Sequence, residues 1–560
     1  MTSSTIHTSS SRWTPFIKAA LALSAIYFLY CFLRDSREEM FLNPVHFFDD
    51  AYMFIRYARI WHLGYGEAWN IGEAPVYGNT SQLHFLFVLL LTSFPAMTDD
   101  MVIKWSSALP SYLLLFWLPW FASRYASLFP AHARWQKYLL WMGIVCPLWY
   151  WHTPFSYHAY TGMDTALSAL LTLWLIDAVL TFDRSDQRRW LPVLVWLVYL
   201  GYLTRPENIV SGSLFVALYL GVWRKRFREI VPVAIAVATL LLLDALVKYW
   251  YFGDVVPMAF YTKSSGFFEG FAGKFHNHPL FPVFYILLAV WPFFAMLIFS
   301  VKRDHFIGLL AFLLPAFVVT AYFFTMLNIM NLYARYEYPL TMYIVAAALL
   351  YANTDLFQPF RKKPVIVAAL LSLLLYQLLA YGDSQVGSLI RYLLRDTENA
   401  GVCENGVLNY PLNLPGPVNY SWKDKMFQMT DAFQDAPAGT TVVTTEHGYF
   451  GAKNLNVTII DVAGLHNRYM AHHGFSAEWL YAQKPDVIWL PHWHYTCLNH
   501  KLVFNEEFRQ HYKLYPGLFN LGIALRTDSP RYAVLYQLVD HEVAKIYPGH
   551  HLPDYEQTVE

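Results

Sequence analysis

The chain has 560 residues, of which 56% are hydrophobic and 14% charged, with Lys+Arg and Asp+Glu balanced at 40 each. Ordinary soluble chains carry about 25% charged residues, so the composition argues against a wholly soluble protein, and zero net charge argues against nucleic acid as a partner. Aromatic residues reach 18%, a level suited to interfacial belts and a ligand-lined cavity.

Runs long enough to cross about 30 Å of hydrocarbon fall near 15–33, 82–97, 106–129, 138–157, 163–182, 190–204, 208–223, 229–250, 279–300, 306–328, 337–352 and 364–381. The Ser/Thr-rich N-terminus lacks a cleavage site of the Ala-x-Ala kind, so 15–33 reads as an uncleaved first span. The basic loops Arg184–Arg189, Arg224–Arg228, Lys302-Arg303 and Arg361–Lys363 belong on the cytoplasmic side. They alternate with Thr204–Asn208, Tyr251–Lys263 and Asn331–Pro339, which then lie outside. Arg12 and Lys18 keep the N-terminus inside and put the loop 34–81 outside. The run 82–97 is short and ends in Phe-Pro, which predicts a re-entrant or only partly spanning segment and about 11 spans in total. The fold class expected is a polytopic α-helical membrane protein, residues 1–382, followed by a C-terminal soluble α/β domain, residues 383–560, on the outer side.

Within 383–560, Thr440–Thr445 and Val457–Val462 are β-branched runs that predict strands. A helix over Phe475–Lys484 leads into a third strand, Pro485–Leu490, and Leu521–Arg526 reads as an edge or hairpin strand. None of the four cysteines, Cys31, Cys146, Cys403 and Cys497, has metal-site spacing. Cys403 and Cys497 share the outer segment and could pair in an oxidising compartment. The histidines His472-His473, His492, His494 and His550-His551 read as surface or interface residues.

The unusual polar residues gather on the outer side. Asp49 and Asp50 open a segment of helical spacing that also carries Arg56 and Arg59. Adjacent carboxylates at a desolvated site suit a general base and its partner, although Asp49 could equally cap the helix. The loop continues through Gly64-Tyr-Gly66, Trp69-Asn70-Ile-Gly-Glu73 and Tyr77-Gly-Asn-Thr80, which reads either as a surface loop or as the lining of a sugar or acceptor cleft. Asp164, in Thr161-Gly-Met-Asp-Thr165, is a second acid or a helix cap. Arg205 and Glu207 sit in a very short turn between apolar spans, where charges are costly unless paired or functional. Arg205, Lys263 and Arg335 on one face with the acid pair suggest an anionic ligand such as a lipid phosphate. No phosphate-binding loop of the Gly-x-x-x-x-Gly-Lys type is present.

On these residues the chain resembles the GT-C glycosyltransferases, and more closely the terminal arabinofuranosyltransferases of actinobacterial cell walls and their relatives. The resemblance rests on Asp49–Arg59, Gly64–Gly66, Trp69–Glu73 and Tyr77–Thr80, with later similarities at 161–165, 205–207, 251–254, 335–340 and Ile459–Leu465. Asp164 and Tyr77 depart from the pattern, each standing where relatives more often carry Glu, which leaves the sugar open.

The resemblance implies transfer of a sugar, arabinofuranose among the candidates, from a polyprenyl-phosphate donor to an acceptor hydroxyl on a cell-envelope glycan, lipid or protein, with inversion. Asp49 or Asp50 would take the proton. Arg56, Arg205, Lys263 and Arg335 would bind the donor phosphate, and Trp69, Asn70, Glu73, Tyr77, Asp164 and Glu207 would line the sugar and acceptor cleft. No cofactor is expected, with a divalent metal left open. The expected location is a bacterial inner membrane, with the active site facing outward. The rival reading is a flippase of lipid-linked saccharides, which should show inverted repeats and mid-membrane charge. Asp244 and Lys248 lie four residues apart in one span, but no repeat accompanies them.

Overall fold

Hydropathy and length set the first layer of the architecture. The computed structural model of the chain describes residues 14–43, 48–129, 132–264, 280–300, 305–325, 334–352, 422–490, 495–519 and 521–556. Among these, five helices are long and apolar enough to cross a membrane: Lys18–Leu42, Asp99–Tyr125, Thr165–Ser185, Phe227–Phe252 and Phe306–Phe323. In chain order the first part contains α1 (Thr14–Arg37), α2 (Asp49–Ile60), α3 (Gln82–Thr92), α4 (Asp99–Tyr125), α5 (Arg134–His152) and α6 (Phe155–Tyr160). It continues through α7 (Thr165–Ser185), α8 (Trp190–Thr204), α9 (Asn208–Val216), α10 (Phe227–Phe252), α11 (Met258–Ser264), α12 (Leu280–Ser300), α13 (Phe306–Thr325) and α14 (Thr341–Tyr351).

The run 82–97 forms α3, only 11 residues long. At 1.5 Å per residue it spans about 16 Å, roughly half of a bilayer's hydrocarbon. The helix ends at Thr92, before the Phe-Pro pair at 94–95. The span expected at 364–381 and Cys403 lie outside the described residues, as do His492 and His494. α14 sits at the centre of the bundle, and every side chain from Thr341 to Leu349 is buried. Its small residues Ala346, Ala347 and Ala348 allow neighbouring helices to approach closely. α10 is the opposite case. Leu242, Leu243, Leu246, Val247 and Trp250 lie exposed along it, an apolar face that is unfavourable in water. Its Lys248 Nζ pairs with Asp244 at 2.7 Å, one helical turn apart.

Chain direction orders the ends of the bundle. α7 begins beside Asp164 and ends at Ser185, and α10 begins after Arg226 and ends at Phe252. The basic turns 184–189 and 224–228 meet at one end, where Arg224 bonds Asp183 at 2.7 Å and Arg226 bonds Asp186 at 2.6 Å. Asp164, the turn after α8 and the turn after α10 therefore lie at the other end.

The C-terminal part is a five-stranded mixed sheet of order β2-β1-β3-β5-β4. Its strands are β1 (Thr440–Thr444), β2 (Val457–Asp461), β3 (Val487–Trp489), β4 (Tyr512–Pro516) and β5 (Gly522–Arg526). β2, β1 and β3 run parallel, with Thr440 opposite Val457 and Val442 opposite Val487. β5 runs antiparallel to both β3 and β4, so the hairpin expected at Leu521–Arg526 forms, with β4 as its edge. Both faces are covered. Val442, Val487, Ile523 and Leu525 join one core, and Val443, Ile488, Leu514 and Ala524 join another. Strands buried on both faces do not alternate apolar with polar residues; β1 and β2 are legible through their β-branched residues instead.

The first of these cores also includes Ala51, Tyr52, Ile55, Tyr57 and Ala58 of α2. α2 is thus packed into the sheet region and is not a free loop helix. The approach depends on glycine: a Cβ on Gly448 would collide with the Asp49 backbone, and one on Gly451 would lie 2.9 Å from Arg56 Cδ.

Candidate active site

A cavity of about 540 Å³ opens at the end of the bundle away from the basic turns. Asp50 reaches it from the first turn of α2, Asp164 from the start of α7, Arg205 and Glu207 from the turn between α8 and α9, Lys263 from α11, and Arg335 from the turn before α14. Tyr77, Tyr202 and His466 add polar rings. Val318, Val319, Tyr322 and Phe323 of α13 form an apolar wall. Seven of the residues expected at the site from sequence therefore meet, although they are spread from position 50 to 335.

Their charges are arranged in pairs. Arg335 Nη1 donates to Asp50 Oδ2 at 3.2 Å and Nη2 donates to the Tyr336 hydroxyl at 3.3 Å. The Arg335 Nε is buried with no hydrogen-bond partner among the described residues. Arg205 Nε donates to Glu207 Oε1 at 2.7 Å, and its Nη1 lies 3.4 Å from Asp164 Oδ1. Arg205 is thus neutralised by two carboxylates. Asp164 stands at the N-cap position of α7 but makes no capping bond, so its carboxylate serves Arg205 and not the helix end. Lys263 has no ion pair among the described residues. Burial raises the Tyr336 phenol, but Arg335, Lys263 and Arg205 outweigh it and hold the group below its ordinary value.

Asp49 points elsewhere. Its Oδ2 accepts from Gly448 N at 2.9 Å and its Oδ1 from Tyr449 N at 2.7 Å. It therefore caps the short helix Gly448–Lys453 and not its own helix, and burial pushes its carboxyl above the usual range despite those bonds. The adjacent acids are separated because consecutive helical residues point about 100° apart. Glu446, which follows β1, is brought near both of them, and burial with Asp49 as neighbour pushes it up to about 8.

Besides Asp49, four expected site residues do not line the cavity. Arg56 is fully buried and donates to the carbonyls of Trp69 (2.7 Å), Gly451 (2.6 Å), Asn454 (3.3 Å) and Val457 (3.1 Å) and to Asn70 Oδ1 (2.8 Å). Its donors are consumed by the protein, which leaves none for a phosphate. Asn70 pairs with both backbone groups of Ile459 on the open edge of β2, at 2.9 and 3.0 Å. It completes the sheet edge as a strand would. Glu73 accepts from Asn70 at 3.0 Å, and Trp69 is buried and stacked on His466 with ring centres 3.9 Å apart. The stretch Trp69–Glu73 is therefore a joint between the first loop and the sheet, not a cleft lining.

Sequence reasoning missed His447, Asp461 and His466 as a group. All three are buried at the carboxyl ends of β1 and β2, and polar residues directly after two adjacent parallel strands were the available signal. Of the histidines expected at the surface, His472 pairs with Asp254 at 2.9 Å, linking the sheet region to the turn after α10.

A family model described as a domain of unknown function, DUF8728, matches residues 419–549, a stretch that contains all five strands. No curated protein matches the chain.

Proposed function

We propose that the protein is a membrane glycosyltransferase that moves a sugar from a polyprenyl-phosphate donor to an acceptor hydroxyl, with Asp50 as the general base. The observation that carries this reading is the cavity itself. It sets a carboxylate beside a buried arginine with unused donor capacity, and an apolar wall from α13 adjoins them. In this reading the donor phosphate lies against Arg335 and Lys263, with Arg205 behind them. The lipid tail follows α13 out between the helices. The acceptor oxygen attacks the anomeric carbon from the side opposite the phosphate, its proton passes to Asp50, and the sugar–phosphate bond breaks with its electrons leaving on the phosphate. Backside attack inverts the anomeric centre. Arg335 exchanges part of its contact with Asp50 for the phosphate, which frees the carboxylate to accept the proton when the donor is in place.

The same reading makes the helical part a multi-span membrane domain of about eleven crossings in a bacterial inner membrane, with the cavity and sheet region outside. The separation of the cavity from the basic turns at 184–189 and 224–228 supports that orientation. Arabinofuranose is the first sugar to try, and an envelope glycan, lipid or protein supplies the hydroxyl. The deciding experiment is a panel of polyprenyl-phosphate sugars with the detergent-purified full-length chain. Release of polyprenyl phosphate that needs both an acceptor and Asp50 supports the reading. Donor binding without transfer by any sugar tested would overturn it.

A further inference from the structure

The most enclosed group of ionisable side chains lies outside the transfer scheme. His447 follows β1, Asp461 ends β2, and His466 stands in the loop beyond. β1 and β2 are parallel neighbours, so the three side chains converge at the carboxyl edge of the sheet, where α/β sheets carry ligand sites. Their donor atoms lie within 4.8 Å of one another, and the residues are 0, 0 and 4% exposed.

We propose that His447, Asp461 and His466 hold one divalent transition-metal ion, with Zn²⁺ the best match to two imidazoles and a carboxylate. His447 gives the strongest indication. Neither of its ring nitrogens has a hydrogen-bond partner among the described residues, although the residue is fully buried. Its Nε2 is within ion-pairing distance of Asp461 Oδ1, at 3.2 Å, while its Nδ1 has no polar contact among the described residues. Buried polar atoms are ordinarily paired, and leaving one bare costs about 1–3 kcal/mol. A metal ion between the imidazole and the carboxylate removes that cost. Two ligands at about 2.1 Å from one ion stand at most about 4.2 Å apart, so small side-chain rotations close the set.

The surroundings are those of a ligand shell. Asp461 is fixed by the backbone N–H groups of Ala463 at 2.8 Å and His466 at 2.7 Å. His466 Nδ1 lies 2.9 Å from the Tyr57 hydroxyl, and its ring is stacked on Trp69. Partners of this kind orient metal ligands and set the imidazole tautomer. Met53 Sδ lies 3.1 Å from His466 Nε2 and closes the group on the cavity side.

The ion would stand directly behind the cavity wall, since His466 and Met53 both line the cavity. It would tie the loop after β2 to the segment after β1, and so hold His466 against Tyr57 and Met53 of α2 in the wall near Asp50. This inference does not depend on sugar transfer, because its readout is metal content.

The test uses the full-length chain purified in detergent, stripped with a chelator and titrated with Zn²⁺ or Co²⁺. We expect about one tightly held Zn²⁺ per chain by elemental analysis, and visible absorption bands of low-symmetry Co²⁺ on the unmutated protein. His447→Gln and Asp461→Asn should each lower metal affinity about 100-fold or more, relative to the unmutated chain, while eluting as the unmutated protein does. Chelation should lower the thermal midpoint, and Zn²⁺ should restore it. The inference is overturned if the unmutated chain takes up neither ion above the background of a detergent blank. It is equally overturned if both variants, folded by elution, bind as much metal as the parent. Should either variant fail to fold, the Co²⁺ spectrum of the unmutated protein decides alone.

Discussion

Arg56 and Arg335 are both buried, and the protein surrounds them in opposite ways. Arg56 is held by neutral groups only, four backbone carbonyls and an amide oxygen. Burial without a carboxylate in contact pushes its guanidinium down to about 9. Arg335 faces the Asp50 carboxylate at 3.2 Å and keeps its Nε unused. The first arrangement spends every donor on structure and joins the helical part to the sheet. The second leaves donor capacity at a cavity wall, where an incoming anion can use it. Residue type and burial do not separate these cases; the identity and number of partners do.

The comparison breaks first at Asp50. Asp50→Asn should lower transfer by about 10²–10⁴-fold with elution and thermal midpoint unchanged; turnover within a few-fold of the parent in a lipid-phosphate sugar assay would remove Asp50 from the base role. Next comes the joint. Arg56→Met leaves carbonyls of Trp69, Gly451 and Val457 without their donor, and should cost about 3 kcal/mol in stability, read as an earlier denaturation midpoint. An unchanged midpoint would mean that the joint carries no load. Arg335→Gln should weaken donor binding about tenfold, roughly 1.4 kcal/mol, and acceptor binding much less. Equal losses for both ligands would contradict its contact with the phosphate.

Asp49→Asn should cost about 1–2 kcal/mol, because two charge-assisted bonds to the helix Gly448–Lys453 weaken, while turnover stays within a few-fold. A loss as large as that of Asp50→Asn would reverse the division of labour between the two acids. The last comparison concerns pH. Glu446 is raised from its ordinary value to about 8, so the folded chain binds the proton more tightly than the unfolded one. Its contribution is fully present below the unfolded value of about 4.5 and declines as pH rises towards about 8. Thermal midpoints measured across that window should fall with pH, and less steeply in Glu446→Gln; parallel curves would assign the slope to other groups.

The comparison also marks how far the residues could be read in one dimension. Thr440–Thr444 and Val457–Asp461 are strands where β-branched runs predict them, and both faces of the sheet they join are covered. β4 was not legible: Tyr512–Pro516 carries Lys513 and ends in proline, and it is a strand because β5 pairs along it. At the site, the gathering of Asp50, Asp164, Arg205, Lys263 and Arg335 followed from charge placement between apolar runs, since each lies at the same end of its helix or turn. Arg56, Trp69, Asn70 and Glu73 share a motif with the acids and yet face away from the cavity. A helix sends successive side chains in different directions, and the sheet edge that receives them is nearly 400 positions later, with Asn70 and Ile459 separated by 389.

The sequence alone determined the long apolar helices, the change of character before the sheet region, and the side on which the charged turns collect. Each of these follows from local hydropathy and chain direction, which need no knowledge of distant contacts. Tertiary structure decided which of two adjacent acids faces the cavity. Asp49 is taken by backbone N–H groups of the helix Gly448–Lys453, and Asp50 is left to Arg335. That outcome depends on where a segment 400 residues away comes to rest, and no pattern within Asp49-Asp50 encodes it.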